Sequence, residues 1–168
     1  TKIQPPRARS VLVERGDLRT RLADALSRRG LVLLCAPAGY GKTTLLATEV
    51  ARWPESNALA WVSADAGDDL HRLLECMLAA LEPYDPPWRT APEALLAALG
   101  RGHDTARREV AAEIINTLDA CAVPRGLIVF DDVHRVEDPA FFQFLDHLVE
   151  RRSPRWTMAL TSRTEPPL

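Results

Sequence analysis

Only three cysteines occur in 168 residues, Cys35, Cys76 and Cys121, and they stand far apart. No Cys-x-x-Cys pair and no cysteine–histidine ligand spacing is present, which argues against a zinc site or a disulfide framework. Scattered cysteines, odd in number, fit a reducing compartment, so a cytoplasmic setting is expected. No run reaches the roughly 18 apolar residues of a membrane span, and no signal peptide is visible. Charge of one sign is not in excess either: 21 Lys and Arg against 23 Asp and Glu leave a net charge of -2. A global basic field that would recruit nucleic acid is thereby excluded. Internal repeats and low-complexity tracts are also missing.

What is present is ordinary in bulk. Apolar residues make up 46% and charged residues 26%, in a length that suits one domain with a real core. The chain opens on Thr1 and stops at Pro166-Pro167-Leu168, and residues 1–168 read as the N-terminal fragment of a longer multidomain protein. Basic residues gather near the start: Lys2, Arg7, Arg9, Arg15, Arg19, Arg21, Arg28 and Arg29. A solvated face is the expected reading of that cluster.

Strand and helix patterns alternate, the mark of an α/β fold with a mainly parallel sheet. Residues 1–10 hold Pro5 and Pro6 and are expected to be extended. Leu18, Leu22, Ala25 and Leu26 fall at helical spacing over 15–28, and Gly30 stops that helix. Short apolar runs predict strands at 31–35, 58–63, 127–130 and 156–161. Helices are expected at 42–52, 70–81, 93–99, 105–121 and 139–151, with a proline-rich loop at 83–92.

The first predicted strand runs into Ala36-Pro37-Ala38-Gly39-Tyr40-Gly41-Lys42-Thr43-Thr44. This is a strand–loop–helix phosphate-binding pattern, G-x-x-x-x-G-K-[ST], with Ala36 at its first position. Such a loop wraps phosphates in backbone N–H groups and adds the positive end of the following helix. Gly39 and Gly41 can take backbone angles closed to other residues and let phosphate approach. Lys42 would reach the β- and γ-phosphates, the Thr43 hydroxyl would ligate Mg²⁺, and Thr44 would touch an inner phosphate. Ala36 lies where the strand ends, where an ordinary negative φ suffices, so binding is expected to survive.

Gly126-Leu-Ile-Val-Phe-Asp131-Asp132 is an apolar strand ending in two carboxylates. Doubly wound sheets hold ligands at the carboxyl ends of their strands. Asp131 is therefore expected near Thr43, holding Mg²⁺, with Asp132 placed to orient the attacking water. Asp is one methylene shorter than Glu, so water is positioned less well and hydrolysis should be slow. Arg163 follows the fourth predicted strand. If that strand lies between the first and third, Arg163 points at the γ-phosphate and can stabilise developing charge.

Four stretches occur in order: 37–44, Trp61-Val-Ser-Ala-Asp65-x-Gly-Asp68, Phe130-Asp-Asp-Val-His134 and Thr161-Ser-Arg163. Together they resemble the nucleotide-binding domain of the MalT-like regulators, large ATP-binding LuxR-type transcription factors of the STAND class. The entry from Pro5-Pro6 through Val13-Glu14-Arg15 to Leu18 is similar too, so the resemblance spans nearly the whole chain. It implies a P-loop NTPase three-layer sandwich, AAA ATPase-like, truncated before its last strand, which would leave the P-loop strand at a bare edge. It implies an ADP-bound resting form and an ATP form that oligomerises. It carries ATP or ADP binding to residues 37–44, and Mg²⁺ to Thr43 and Asp131. Asp132, Lys42 and Arg163 take catalytic or sensing roles, and Val13 and Arg15 flank the adenine. His134 matches the motif without an assigned task, and Trp61 and Asp65 are expected to support the second strand and its turn. DNA contact would need a C-terminal helix-turn-helix outside this chain, and no membrane partner is expected. Two other readings stay open: a P-loop small-molecule kinase, and a nucleotide-gated interaction module without useful turnover.

Overall fold

The computed structural model describes residues 2–6, 16–100 and 104–168. Val13 and Arg15, expected beside the adenine, lie outside the described residues. The elements run α1 (Gly16–Arg28), β1 (Leu31–Cys35), α2 (Lys42–Val50), β2 (Ala58–Ser63), α3 (Leu70–Leu81), α4 (Pro92–Leu99), α5 (Asp104–Ala120), β3 (Gly126–Asp131), α6 (Pro139–Glu150) and β4 (Trp156–Ser162). Each matches a sequence expectation within a residue or two, the usual fraying of element ends.

The four strands form one parallel sheet in the order β1-β4-β3-β2. Because β1 and β3 both pair with β4, the condition attached to Arg163 is met. Side chains alternate across a strand, so each face receives every second residue. On one face, Trp61, Leu127, Val129, Ala159 and Val32 pack on Leu22 and Leu26 of α1 and Leu46 and Val50 of α2. On the other, Ile128, Phe130, Met158 and Leu160 pack on α3, α4, α5 and α6. The result is a three-layer α/β sandwich. Every residue of β3 and β4 is buried, as central parallel strands require. At the β1 edge, Leu33 and Cys35 are exposed.

Local signals fix how the helices meet the sheet. Asp69 caps α3 by accepting from the Arg72 N–H at 2.8 Å. Asp138 caps α6 through the Ala140 N–H, and its other oxygen accepts from the Leu70 N–H at 2.9 Å. One carboxylate thus ties the starts of two helices together, each cap contributing about 1 kcal/mol. Phe141 of α6 meets Phe130 edge-on, with ring centroids 5.3 Å apart, and so braces the strand end that carries Asp131.

Two expectations change. Leu18, at helical spacing with Leu22 and Leu26, stands in the first turn of α1 and is 40% exposed, so Leu22 and Leu26 carry the contact. The basic N-terminal cluster is not uniformly solvated: Lys2 is paired with carboxylates, and Arg19 lies 3.7 Å from Glu49. Gly126 begins β3 under the indole of Trp156, where a Cβ would come within 2.2 Å of the ring. Trp156 cannot simply retreat, because its Nε1–H donates to the Leu118 carbonyl at 2.9 Å. Gly126→Ala is expected to destabilise the domain by about 1–3 kcal/mol in a denaturant melt. Gly16→Ala, where an added Cβ meets nothing, is the matched control.

Candidate nucleotide-binding site

Strand β1 ends at Cys35, and the Ala36 N–H still donates to Ser162 O of β4 at 3.2 Å. The loop departs from there. Gly39 and Gly41 adopt φ values of 82 and 77, a region that favours glycine, whereas Ala36 is not among the described residues with positive φ. The first loop position therefore asks nothing of glycine, and Ala36 meets it. Gly41 precedes α2, and no side chain caps that helix start. The first N–H groups of a helix have no intrahelical acceptor, so those of Lys42, Thr43 and Thr44 remain for a ligand. Pro37, Ala38, Gly39, Tyr40 and Gly41 are all exposed around this opening.

Lys42 folds back over the loop, with Nζ donating to the carbonyls of Ala36 at 2.7 Å and Pro37 at 3.2 Å. Thr43 turns the other way. Its hydroxyl donates to Asp131 Oδ1 at 2.7 Å, across 88 residues of sequence. The Thr161 hydroxyl donates to the same oxygen, and the Asp132 N–H donates to Thr161 Oγ1 at 2.9 Å. Burial pushes the Asp131 carboxyl above the usual carboxylate range, with the Thr161 and Thr43 hydroxyls pulling it back only in part. A desolvated carboxylate beside a threonine hydroxyl is a hard-oxygen pair, and such pairs suit Mg²⁺.

Asp132 sits just past β3 with φ 61, a left-handed conformation that Asp tolerates better than most side chains. Its two carboxylate oxygens lie 3.7 Å from His134 Nδ1 and 3.8 Å from Arg135 Nε. Burial lowers the His134 pKa against the pull of Asp132, and the nearby Arg163, Arg135 and Lys42 charges lower it further. The shift favours the neutral imidazole, and among the described residues its buried Nδ1 has no hydrogen-bond partner. Arg163 follows β4, exposed, beside the start of the loop.

A cleft of about 510 Å³ opens beside Thr43 and the paired acids, lined by Thr43, Asp131, Asp132, Arg135, Asp65 and the segment Gln4-Pro5-Pro6. Sequence reasoning missed this last part. Ser63 N–H donates to the Lys2 carbonyl at 2.8 Å, and Lys2 Nζ binds Asp68 and Asp65. Asp65 and Asp68 also close their own turn, through the Asp65 N–H to Asp68 Oδ2 at 2.7 Å. Trp61 is buried in the core. The sequence marks Thr161 only through its place in Thr161-Ser-Arg163, at the end of the strand beside Asp131.

A parallel sheet with a glycine-containing loop after its edge strand, a lysine and threonine opening the next helix, and paired acids at the end of the next strand but one define a P-loop nucleotide-binding domain. The chain belongs to the AAA ATPase domain family, whose model matches residues 11–160. It is 28% identical over 166 residues to the HTH-type transcriptional regulator MalT of Klebsiella pneumoniae, covering 96% of this chain and 18% of that protein. Against MalT of Vibrio cholerae it is 31% identical over 158 residues, covering 90% and 16%. The serine/threonine-protein kinase PknK of Mycobacterium tuberculosis is 32% identical over 169 residues, covering 96% and 14%. The chain thus spans less than a fifth of the length of these curated relatives. Among solved structures, the Walker-type ATPase Paby2304 of Pyrococcus abyssi shares the fold, with a TM-score of 0.60 at 16% identity, over 95% of this chain and 47% of that one. No helix among the described residues is long and apolar enough to cross a membrane.

Proposed function

We propose that this domain binds ATP and ADP with Mg²⁺ and hydrolyses ATP slowly, so that the bound nucleotide acts as a switch. The observation that carries the reading is the meeting of Thr43 with Asp131: a phosphate-binding loop and an acidic strand end, distant in sequence, share one hydrogen bond at the mouth of the cleft. Lys42 leaves the Ala36 and Pro37 carbonyls to take the β- and γ-phosphates, and the backbone of residues 37–44 wraps them. Thr43 and Asp131 hold the cation, which when bound offsets phosphate charge. Asp132, turned toward the cleft, orients the water that adds to the γ-phosphorus as ADP leaves. Arg163, beside the loop, senses the γ-phosphate.

We further read the chain as the nucleotide-binding domain of a longer cytoplasmic signalling protein. The MalT relatives favour a LuxR-type regulator whose DNA contacts and nucleotide-dependent self-association involve other segments. The PknK relative favours a kinase-linked switch built on the same domain. Both use the site in the same way.

Hydrolysis by wild type and Asp132→Ala tests the switch. Wild type is expected to turn over well below about 10 per second, the median for enzymes. Asp132→Ala should fall at least tenfold further while still binding ATP, as expected for loss of a water-positioning group. Turnover above that median, or an unchanged rate in Asp132→Ala, would overturn the assignment.

A further inference from the structure

The two adjacent carboxylates at the end of β3 have different tasks in the reading above, yet one side chain touches both of their residues. Thr161 lies on β4, opposite Leu34 of β1, and is fully buried. Its single hydroxyl proton has one possible use. The Asp132 N–H is a donor and occupies a lone pair of Thr161 Oγ1. The proton is therefore committed to Asp131 Oδ1, and the direction of both bonds is fixed.

Thr43 donates to that same carboxylate oxygen, but its situation differs. Thr43 is half-buried at the cleft and opens a helix, so it is free to exchange Asp131 for a cation. Thr161 has no such alternative: it is sealed between β1 and β3 and held by a backbone N–H. When Thr43 lets go, Thr161 is what still orients Asp131. The same hydroxyl anchors the Asp132 backbone at its left-handed φ of 61, which directs the second carboxylate toward the cleft.

We propose that Thr161 is a positioning residue that couples the cation-holding Asp131 to the water-orienting Asp132 through one fixed hydroxyl. The proposal rests on the reading of Thr43 and Asp131 as the Mg²⁺ pair. It assigns Thr161 no direct contact with nucleotide, so its loss should not touch binding that needs no cation. A residue that merely filled the core would weaken all binding alike.

The test compares this chain with Thr161→Val, which keeps the shape and removes the hydroxyl, and Thr161→Ser, which keeps the hydroxyl. ADP affinity is measured in EDTA and again in saturating Mg²⁺, with Lys42→Ala and Asp131→Asn in parallel. Thr161→Val is expected to match wild type within about twofold in EDTA and to lose about tenfold or more of the gain given by Mg²⁺, roughly the worth of one charge-assisted hydrogen bond. Thr161→Ser is expected to restore most of that gain. A second readout needs no ligand: amide hydrogen exchange at Asp132 should speed up in Thr161→Val and return toward wild type in Thr161→Ser. If the Val variant is insoluble, Thr161→Cys, a weak donor of similar size, is read in the same titrations.

An intact Mg²⁺ gain in Thr161→Val, or an equal loss with and without the cation, overturns the proposal. If Asp131→Asn removes the gain and Thr161→Val does not, Thr161 alone is wrong. If wild type shows no gain, or Asp131→Asn keeps it, the cation reading falls and takes this proposal with it. Unchanged ADP binding in Lys42→Ala displaces the phosphate site itself.

Discussion

Lys42→Ala is expected to weaken ATP and ADP binding by roughly a hundredfold or more while leaving the melting temperature near that of wild type. The separation of the two effects follows from what Lys42 touches. Among the described residues its ammonium donates to the main-chain oxygens of half-buried Ala36 and exposed Pro37. Water can satisfy those carbonyls when the lysine is gone, so little stability is at stake. Toward phosphate the balance is different. Hydrogen bonds to charged groups contribute about 1.5–3 kcal/mol each, and 1.4 kcal/mol is a factor of ten. Two such bonds to the β- and γ-phosphates account for the predicted loss. Calorimetric titration beside a thermal melt measures both quantities. Binding that survives in the mutant would refute the placement of the phosphates, and a large drop in melting temperature would make the lysine structural.

Asp131→Asn should move stability and function in opposite directions. Asp131 is 5% exposed, and burial holds its carboxyl above the usual range. The sign follows directly. A raised folded-state pKa means that the folded chain holds its proton more tightly than the unfolded chain. The cost of this group is therefore absent below the unfolded value near 4 and grows as pH rises through the folded value. Above the folded value the carboxylate is charged and the cost is fully present. Asparagine removes the charge, and its carbonyl can still accept from Thr43 and Thr161. The melting temperature is expected to rise by a few degrees, about 1 kcal/mol for a domain of this size, with the gain shrinking toward pH 4. The Mg²⁺-dependent part of nucleotide affinity should vanish. A lower melting temperature with metal dependence intact would show that Asp131 serves the fold and not the site.

Much of this site was readable in advance because its parts are local. The loop, its two positive-φ glycines and the helix that follows depend on neighbours in sequence, and Asp131-Asp132 marks the end of an apolar strand. Strand order was the one long-range inference needed, and parallel βα topology constrains it closely. What escaped was set by contacts between distant segments of weak local character. Lys2 looked like one more basic residue on a solvated face. Its backbone contact with Ser63 at the end of β2 brings it to Asp65 and Asp68. Thr161 reads as an ordinary strand residue, and its value depends on the side chain that the neighbouring strand places opposite it. Leu18 has the right helical spacing, yet it is exposed in the first turn of α1, where Leu22 and Leu26 carry the burial.

The strand order also dictates a sequence of assembly. Among the described residues β1 has a single sheet partner, β4, while β2 and β3 pair with each other directly. Until β4 enters, the loop-bearing strand and the acid-bearing strand belong to separate pieces, with a gap one strand wide between them. Thr43 and Asp131 become neighbours only when residues 156–162 wedge into that gap. Such late, long-range pairing is slow compared with local helix formation. For a chain made from its N-terminus, nucleotide competence should therefore switch on abruptly with this strand, rather than grow as successive elements appear.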